Sequence, residues 1–355
     1  MLVHQAIMKP LIKGDVGIEI EVESLDPLPM VNNKEFSCKP DGSLRHFGNE
    51  YTTVGAATLN KDFKEHLTKL CDILDKSGRV VKDSPRTSIH VHVNVSNLTL
   101  SQAWTGILSA WLMETVFVEG CGPDRVGNLF CLRLKDAEYL IPTAQKDLRC
   151  NMPFTQHLQS DHIKYSGTNL NAIGRFGSIE TRYKGGSIDA DDIYSWSDLH
   201  HAVIHNAADV YKTPSNFIDT FCAMSKRDFI ESIIGKDRFK QYVEPIRAWE
   251  DMVEEQLGRI APVAYVHNWD KWEDKVYKHF TKNKLLSPEK IAPIPNAIDV
   301  LQAQQIQEAL RAVDRAEAPL QPIRRRRAPV EPGAGLNPRY AIAVDDVPIE
   351  DDIEF

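Results

Sequence analysis

The sequence predicts an α+β fold: an antiparallel sheet with helices packed on one face and a charged site on the other. Three observations predict it. Three segments alternate apolar and polar residues with period two, GIEIEVE at 17–23, SIHVHVNVS at 88–96 and SIETRY at 178–183. Residues two apart share a strand face, so each segment offers one apolar face and one face of acids, imidazoles or an Arg. Other segments space their apolar residues at the helical period. Strands and helices come in mixed order, which favours an antiparallel sheet covered on its apolar face over a doubly wound one.

Taken in order, residues 17–23 set Ile18, Ile20 and Val22 against Glu19, Glu21 and Glu23. Residues 60–77 place Phe63, Leu67, Leu70 and Leu74 on one helical face, with Asn60 at the N-cap and Gly78 just past the end. Residues 88–96 set Ile89, Val91, Val93 and Val95 against His90, His92, Asn94 and Ser96. Thr99 and Gln102 form a capping box ahead of Trp104, Ile107, Leu108, Trp111 and Leu112. Glu180 and Arg182 share one strand face, followed by a turn at Gly185-Gly186. Helical spacing returns at 191–208 (Ile193, Trp196, Leu199, Val203, Ile204), again over 225–257, and in a Gln- and Ala-rich stretch at 298–316. From about Ala318 the chain is rich in Pro and charge, which predicts a disordered tail over 318–355. The folded domain is therefore expected over 1–317, helical beyond 206.

Charge and composition exclude several classes. The 355 residues carry 42 basic and 50 acidic side chains, net −8, which argues against a chain built to coat nucleic acid or an anionic membrane. Residues 1–323 hold net −6, residues 324–344 net +4, and the last eleven residues net −6. Arg324–Arg327 read as a solvated linker more readily than as a phosphate-binding arm for nucleic acid. No run of 18 apolar residues suits a membrane span. The N-terminal segment lacks the pattern of a secretory signal. The six cysteines are scattered without a CxxC pair. These features lead us to expect reduced thiols and a cytoplasmic location.

Each alternating strand has an ordinary reading: a solvent-facing row of acids, an HxH turned outward, a same-face ion pair. Their coincidence in one sheet would gather carboxylates, imidazoles and an Arg on a single surface, too charged to be core. Such donors suit Mg²⁺ or Mn²⁺. Two or three such ions would hold nucleotide phosphates and neutralise charge in phosphoryl transfer. The sequence has neither GxxxxGK[ST] nor GxGxxG after a strand, so phosphates would rest on metals and basic side chains.

The ordered set GIEIEVE, DGSL, EYTTVG, SIHVHVNVS, KYSGTNLNA and GSIETRYKGGSID, spanning roughly 14–205, resembles the amidoligase family. These are carboxylate–amine ligases of the glutamine synthetase/glutamate–cysteine ligase type. The resemblance implies a glutamine synthetase-like sheet, ATP, two or three Mg²⁺ or Mn²⁺ ions, and amide formation through an acyl phosphate. It implies metal ligation by Glu19, Glu21, Glu50, His90 and Glu180. Arg182, His92 and Asp41 would act on the reacting groups, with Ser43, Lys164 and Asn171 joining Arg182 in binding ATP or substrate. The register of the two His is open, and Glu23 would sit at the rim. Lys164 stands where the family often has Arg, and Thr181 where it has Phe. The substrates would be small or peptide carboxylates and amines, extending to macromolecules. An HxH metallohydrolase and a non-catalytic ligase-like module are the alternative readings. His201 and His205 have the spacing of a helical metal pair but read as helix-face residues.

Overall fold

In a computed structural model the chain is described over residues 1–81, 84–122, 128–129, 131–160 and 163–286. These all belong to one unit, Met1–Gln302. In chain order the elements are α1 (Val3–Ala6), β1 (Val16–Val22), β2 (Phe36–Pro40), β3 (Asn49–Thr53), α2 (Lys61–Lys76) and β4 (Ser88–Asn94). There follow α3 (Leu100–Leu112), α4 (Glu114–Cys121), α5 (Leu140–Leu148), β5 (Thr168–Asn169), α6 (Asn171–Phe176) and β6 (Ser178–Gly185). The described chain closes with α7 (Ala190–Tyr211), α8 (Pro214–Ala223), α9 (Lys226–Gln241), α10 (Val243–Ala264) and α11 (Trp269–Lys282). The helix expected at 298–316 and the tail expected from 318 lie outside the described residues.

The three alternating segments become β1, β4 and β6, neighbours within a six-stranded antiparallel sheet of order β2-β3-β1-β4-β6-β5. The α+β expectation therefore holds. Their apolar residues, Val16, Ile18, Ile20, Ile89, Val91, Val93 and Ile179, are buried under the helices. Register places the polar residues of one face side by side. Glu19 pairs with His90 on one side and Thr52 on the other, Glu21 pairs with Glu50, and His92 pairs with Glu180. Directly opposed residues project to the same face, so three strands deliver their charged side chains to one surface.

One irregularity matters to that surface. Between the Val91–Thr181 and Ile89–Lys184 pairs, β6 carries two residues, Arg182 and Tyr183, against the single His90 of β4. Such a bulge re-aims side chains. Arg182 lines the charged side, while Tyr183 is buried and donates its hydroxyl to Glu114 of α4.

The helix layer follows its sequence signals closely. Asn60 caps α2 by accepting from Phe63 N at 2.9 Å. Thr99 and Gln102 form the reciprocal capping box of α3. Within α3 every residue but Gln102 is buried, because α7, α8 and α10 pack around it; a helix enclosed on all sides can be apolar all round. α7 runs three residues beyond the expected 208 and packs Ile193, Trp196, Leu199 and Val203 inward. The expected helix over 225–257 is broken twice, at Gly235 within α9 (φ 80°) and at Tyr242 between α9 and α10, and extends to Ala264. Among the described residues no helix is long and apolar enough to cross a membrane.

Candidate active site

The charged face floors an open cleft of about 1280 Å³, mouth included. At its centre Glu19, His90 and Glu180 each present a ligand atom within 4.8 Å of the others. They come from β1, β4 and β6. His90 Nδ1 lies 2.8 Å from Glu19 Oε2 and 3.6 Å from Glu180 Oε1. His90 Nε2 lies 2.7 Å from Ser88 Oγ, and Ser88 donates to Glu21. His92 bridges outward, with Nε2 3.1 Å from Glu19 Oε1 and Nδ1 3.1 Å from Ser178 Oγ. Glu180 receives Arg182 on one oxygen and Asn169 Nδ2, at 2.7 Å, on the other.

The electrostatics follow from crowding at low solvent access. Burial would raise the Glu19 carboxyl, but hydrogen bonds from His90 and His92, with the charges of both rings, hold it well below the ordinary range. Glu180 behaves likewise: burial opposes ionisation, and His92, Arg182 and His90 outweigh it. His92 is the counterpart, lowered by burial and raised further by Glu180 and Glu19. Glu50 is raised by burial and by the charge of Glu19, although Lys39 Nζ stands 3.1 Å away.

All eleven residues singled out from the sequence line this cleft: Glu19, Glu21, Asp41, Ser43, Glu50, His90, His92, Lys164, Asn171, Glu180 and Arg182. They are not equivalent in place. Glu21 is held by Ser88 and Glu50 by Lys39, beside the central trio rather than within it. Glu23 is not at the rim. It lies just past the end of β1, 1 % exposed, and binds Arg45 N at 2.7 Å and Ser84 Oγ at 2.7 Å. His201 and His205 stack at 4.3 Å on α7, and His205 Nε2 lies 2.7 Å from Asn94 O. Gly186 closes against Thr87 O at 3.0 Å as the chain leads into α7.

Sequence reasoning passed over Lys39, Arg86, Ser88, Asn169, Arg175 and Phe176, which also line the cleft. Ser88 was detectable, since it shares the parity of His90 and His92. Lys39 was detectable only with β2 recognised, where it alternates with Phe36 and Cys38. Arg86 and Arg175 carry no periodic signal.

Fold and site together define an α+β protein whose sheet turns a carboxylate–imidazole trio, ringed by basic side chains, into an open cleft. Two carboxylates and an imidazole are a donor set that fits Mn²⁺, or Mg²⁺ with imidazole as the less usual ligand. Residues 57–204 match the family model described as "Putative amidoligase enzyme". The match supports a likeness of this stretch to the amidoligase family, a ligase-type enzyme family, in agreement with the resemblance carried by the last three of the six motifs. It includes His90, His92, Lys164, Asn171, Glu180 and Arg182, and begins after Glu19, Glu21, Asp41, Ser43 and Glu50. No curated protein matches the chain.

Proposed function

We propose that this protein is an ATP-dependent carboxylate–amine ligase that forms an amide through an acyl phosphate. The observation that carries the reading is the convergence of Glu19, His90 and Glu180 from three adjacent strands beside Arg182, which donates to Glu180. In this reading the trio holds Mg²⁺ or Mn²⁺, with Glu21 and Glu50 close enough to the floor to serve a second or third ion. A bound divalent ion supplies charge neutralisation for the nucleotide phosphates.

The rest is the work of the chain's own groups. A substrate carboxylate oxygen attacks the γ-phosphorus of ATP, and the bond to ADP breaks. Arg182 steadies the negative charge on the transferring group, and Lys164 and Asn171 hold phosphate oxygens. His92, fixed by Glu19 and Ser178, contacts the phosphoryl group. The amine then attacks the acyl carbon, phosphate leaves, and the amine's proton passes to a base. Asp41 and Ser43, at the far end of the cleft, contact the carboxylate or the amine. His92 and Arg182 stand on the sheet, and Asp41, Ser43, Lys164 and Asn171 on the turns and helix beside it, so in this reading most of the catalysis is positioning and electrostatics.

The test is release of ADP and phosphate across a matrix of carboxylates and amines. Glu19→Ala and Glu180→Ala should each lower the rate by roughly 100-fold or more, as loss of a charge-stabilising group does. ADP release that survives both substitutions would falsify the site. Nucleotide-independent hydrolysis with zinc bound would instead favour a metallohydrolase.

A further inference from the structure

The cleft is asymmetric. On the β1–β3 side its cations have partners: Lys39 pairs with Glu50, and Arg86 donates to Ser43 O at 3.2 Å. The other side is built by one stretch of chain, 164–176, which runs through the edge strand β5 and α6. There Lys164 and Arg175 make no ion pair with any described residue. The buried Asn171 lines the cleft, and its Nδ2 finds no hydrogen-bond partner among the described residues.

Two aromatic rings accompany these groups. Phe176 is 55 % exposed and Tyr165 is 41 % exposed. Phe176 does not hang loose. Gly177 takes the left-handed conformation (φ 68°) and bonds back to Ile173 O at 2.9 Å, which ends α6 and turns the chain into β6. The Phe176 ring is thereby held edge-to-face against His92, with centroids 5.7 Å apart. A half-exposed phenyl ring fixed beside a trio of ionisable groups contributes nothing to binding phosphate or carboxylate. It suits a planar ring carried by the same ligand.

We propose that the 164–176 edge is the nucleotide end of the cleft. The base of a nucleoside triphosphate lies against Phe176, with Tyr165 beside it. Its phosphates run past Lys164, Arg175 and the free donor of Asn171 to Glu19, His90 and Glu180. The β1–β3 end, with Asp41, Ser43 and Arg86 and no aromatic ring among its lining residues, is left to the carboxylate and the amine. This assignment rests on the ligase reading and adds a direction to it.

Calorimetry on the full chain with Mg²⁺ tests both separately, using ATP and inorganic tripolyphosphate as probes. Phe176→Ala should weaken ATP roughly tenfold, the loss expected for one base–aromatic stack, and leave tripolyphosphate unchanged. Phe176→Trp should restore ATP binding, which separates stacking from a folding defect. Arg175→Ala should weaken both probes. ATP binding that Phe176→Ala leaves intact overturns this assignment alone. Failure of the wild-type chain to bind either probe overturns the ligase reading and the assignment with it.

Discussion

Ser88 has one hydroxyl proton, and it donates that proton to the Glu21 carboxylate. It therefore accepts from His90 Nε2–H, and Nδ1 is the nitrogen turned to Glu19 and Glu180, where either a proton or a bound cation can lie between ring and carboxylate. A group that fixes a ligand's tautomer typically changes metal affinity by about 10–100-fold when removed. Ser88→Ala should weaken Mn²⁺ binding by that amount in a titration; an unchanged affinity would mean that the ring is oriented by something else. A second residue-scale effect lies in the helix layer. His200 is fully buried among Phe117, Trp196 and Tyr183, and neither ring nitrogen has a partner among the described residues. Burial pushes its pKa down to about 3, with the charge of Lys184 adding to it. The unfolded chain binds a proton at His200 below its ordinary value of 6.5, and the folded chain does not. Stability is thus fully present above that value and is lost as pH falls toward 3, by up to about 1.4 kcal/mol per unit. His200→Phe should flatten the fall in urea midpoint between pH 6.5 and pH 4, and an equally steep fall in the variant would refute the account.

At the scale of elements, Glu23 ties two loops to the end of β1. It accepts from Arg45 N and Ser84 Oγ, and Ser84 Oγ in turn accepts from Arg86 N at 3.3 Å. The turn bearing Asp41 and Ser43 and the segment bearing Arg86 thus share one buried carboxylate. Glu23→Ala leaves a buried hydroxyl and an amide without their acceptor, at a cost of about 1–3 kcal/mol. Hydrogen exchange should quicken in residues 41–45 and stay constant in α7; equal protection across both proteins would remove Glu23 from this role. Parity in the sequence placed Glu19, Glu21 and His90 correctly but misled for Glu23, because β1 ends at Val22 and the chain then turns. β1, β4 and β6 were legible since each alternates over at least six residues. β3 and β2 are five residues long and β5 is two. Such lengths carry almost no periodicity, and their places depend on pairing with distant strands. The bulge at Arg182–Tyr183 leaves no mark in the sequence either, since it arises from register against His90.

Across the whole molecule the acidity of the body acquires a location. Residues 1–323 carry net −6, and three acids of the cleft floor, Glu19 and Glu21 on β1 and Glu180 on β6, stand on either side of β4 with their repulsion offset by His90, His92 and Arg182. The sum of charges says nothing of this; only the register that brings β1 between β3 and β4 does. The trio also bridges three neighbouring strands of the sheet. A cation held by Glu19, His90 and Glu180 would join β1, β4 and β6, the strands on which the helix layer packs, and these ligands come together only in the folded chain. Binding to the folded state alone stabilises it by mass action, about 2.7 kcal/mol at a metal concentration 100 times Kd. For a domain of this size that corresponds to roughly 5 °C in Tm. Mn²⁺ should therefore raise the melting temperature in a dose-dependent way, and a chelator should reverse it. Glu180→Gln and Glu19→Gln keep the shape of the site while removing a charged ligand, so each should melt cooperatively without responding to Mn²⁺. All six cysteines are free, so a thiol reductant should leave the shift unchanged and any metal response can be read without disulfide effects. A response retained in both variants would move the cation away from the trio, to the flanking carboxylates Glu21 and Glu50, and would separate the metal site from the strands on which the proposed chemistry depends.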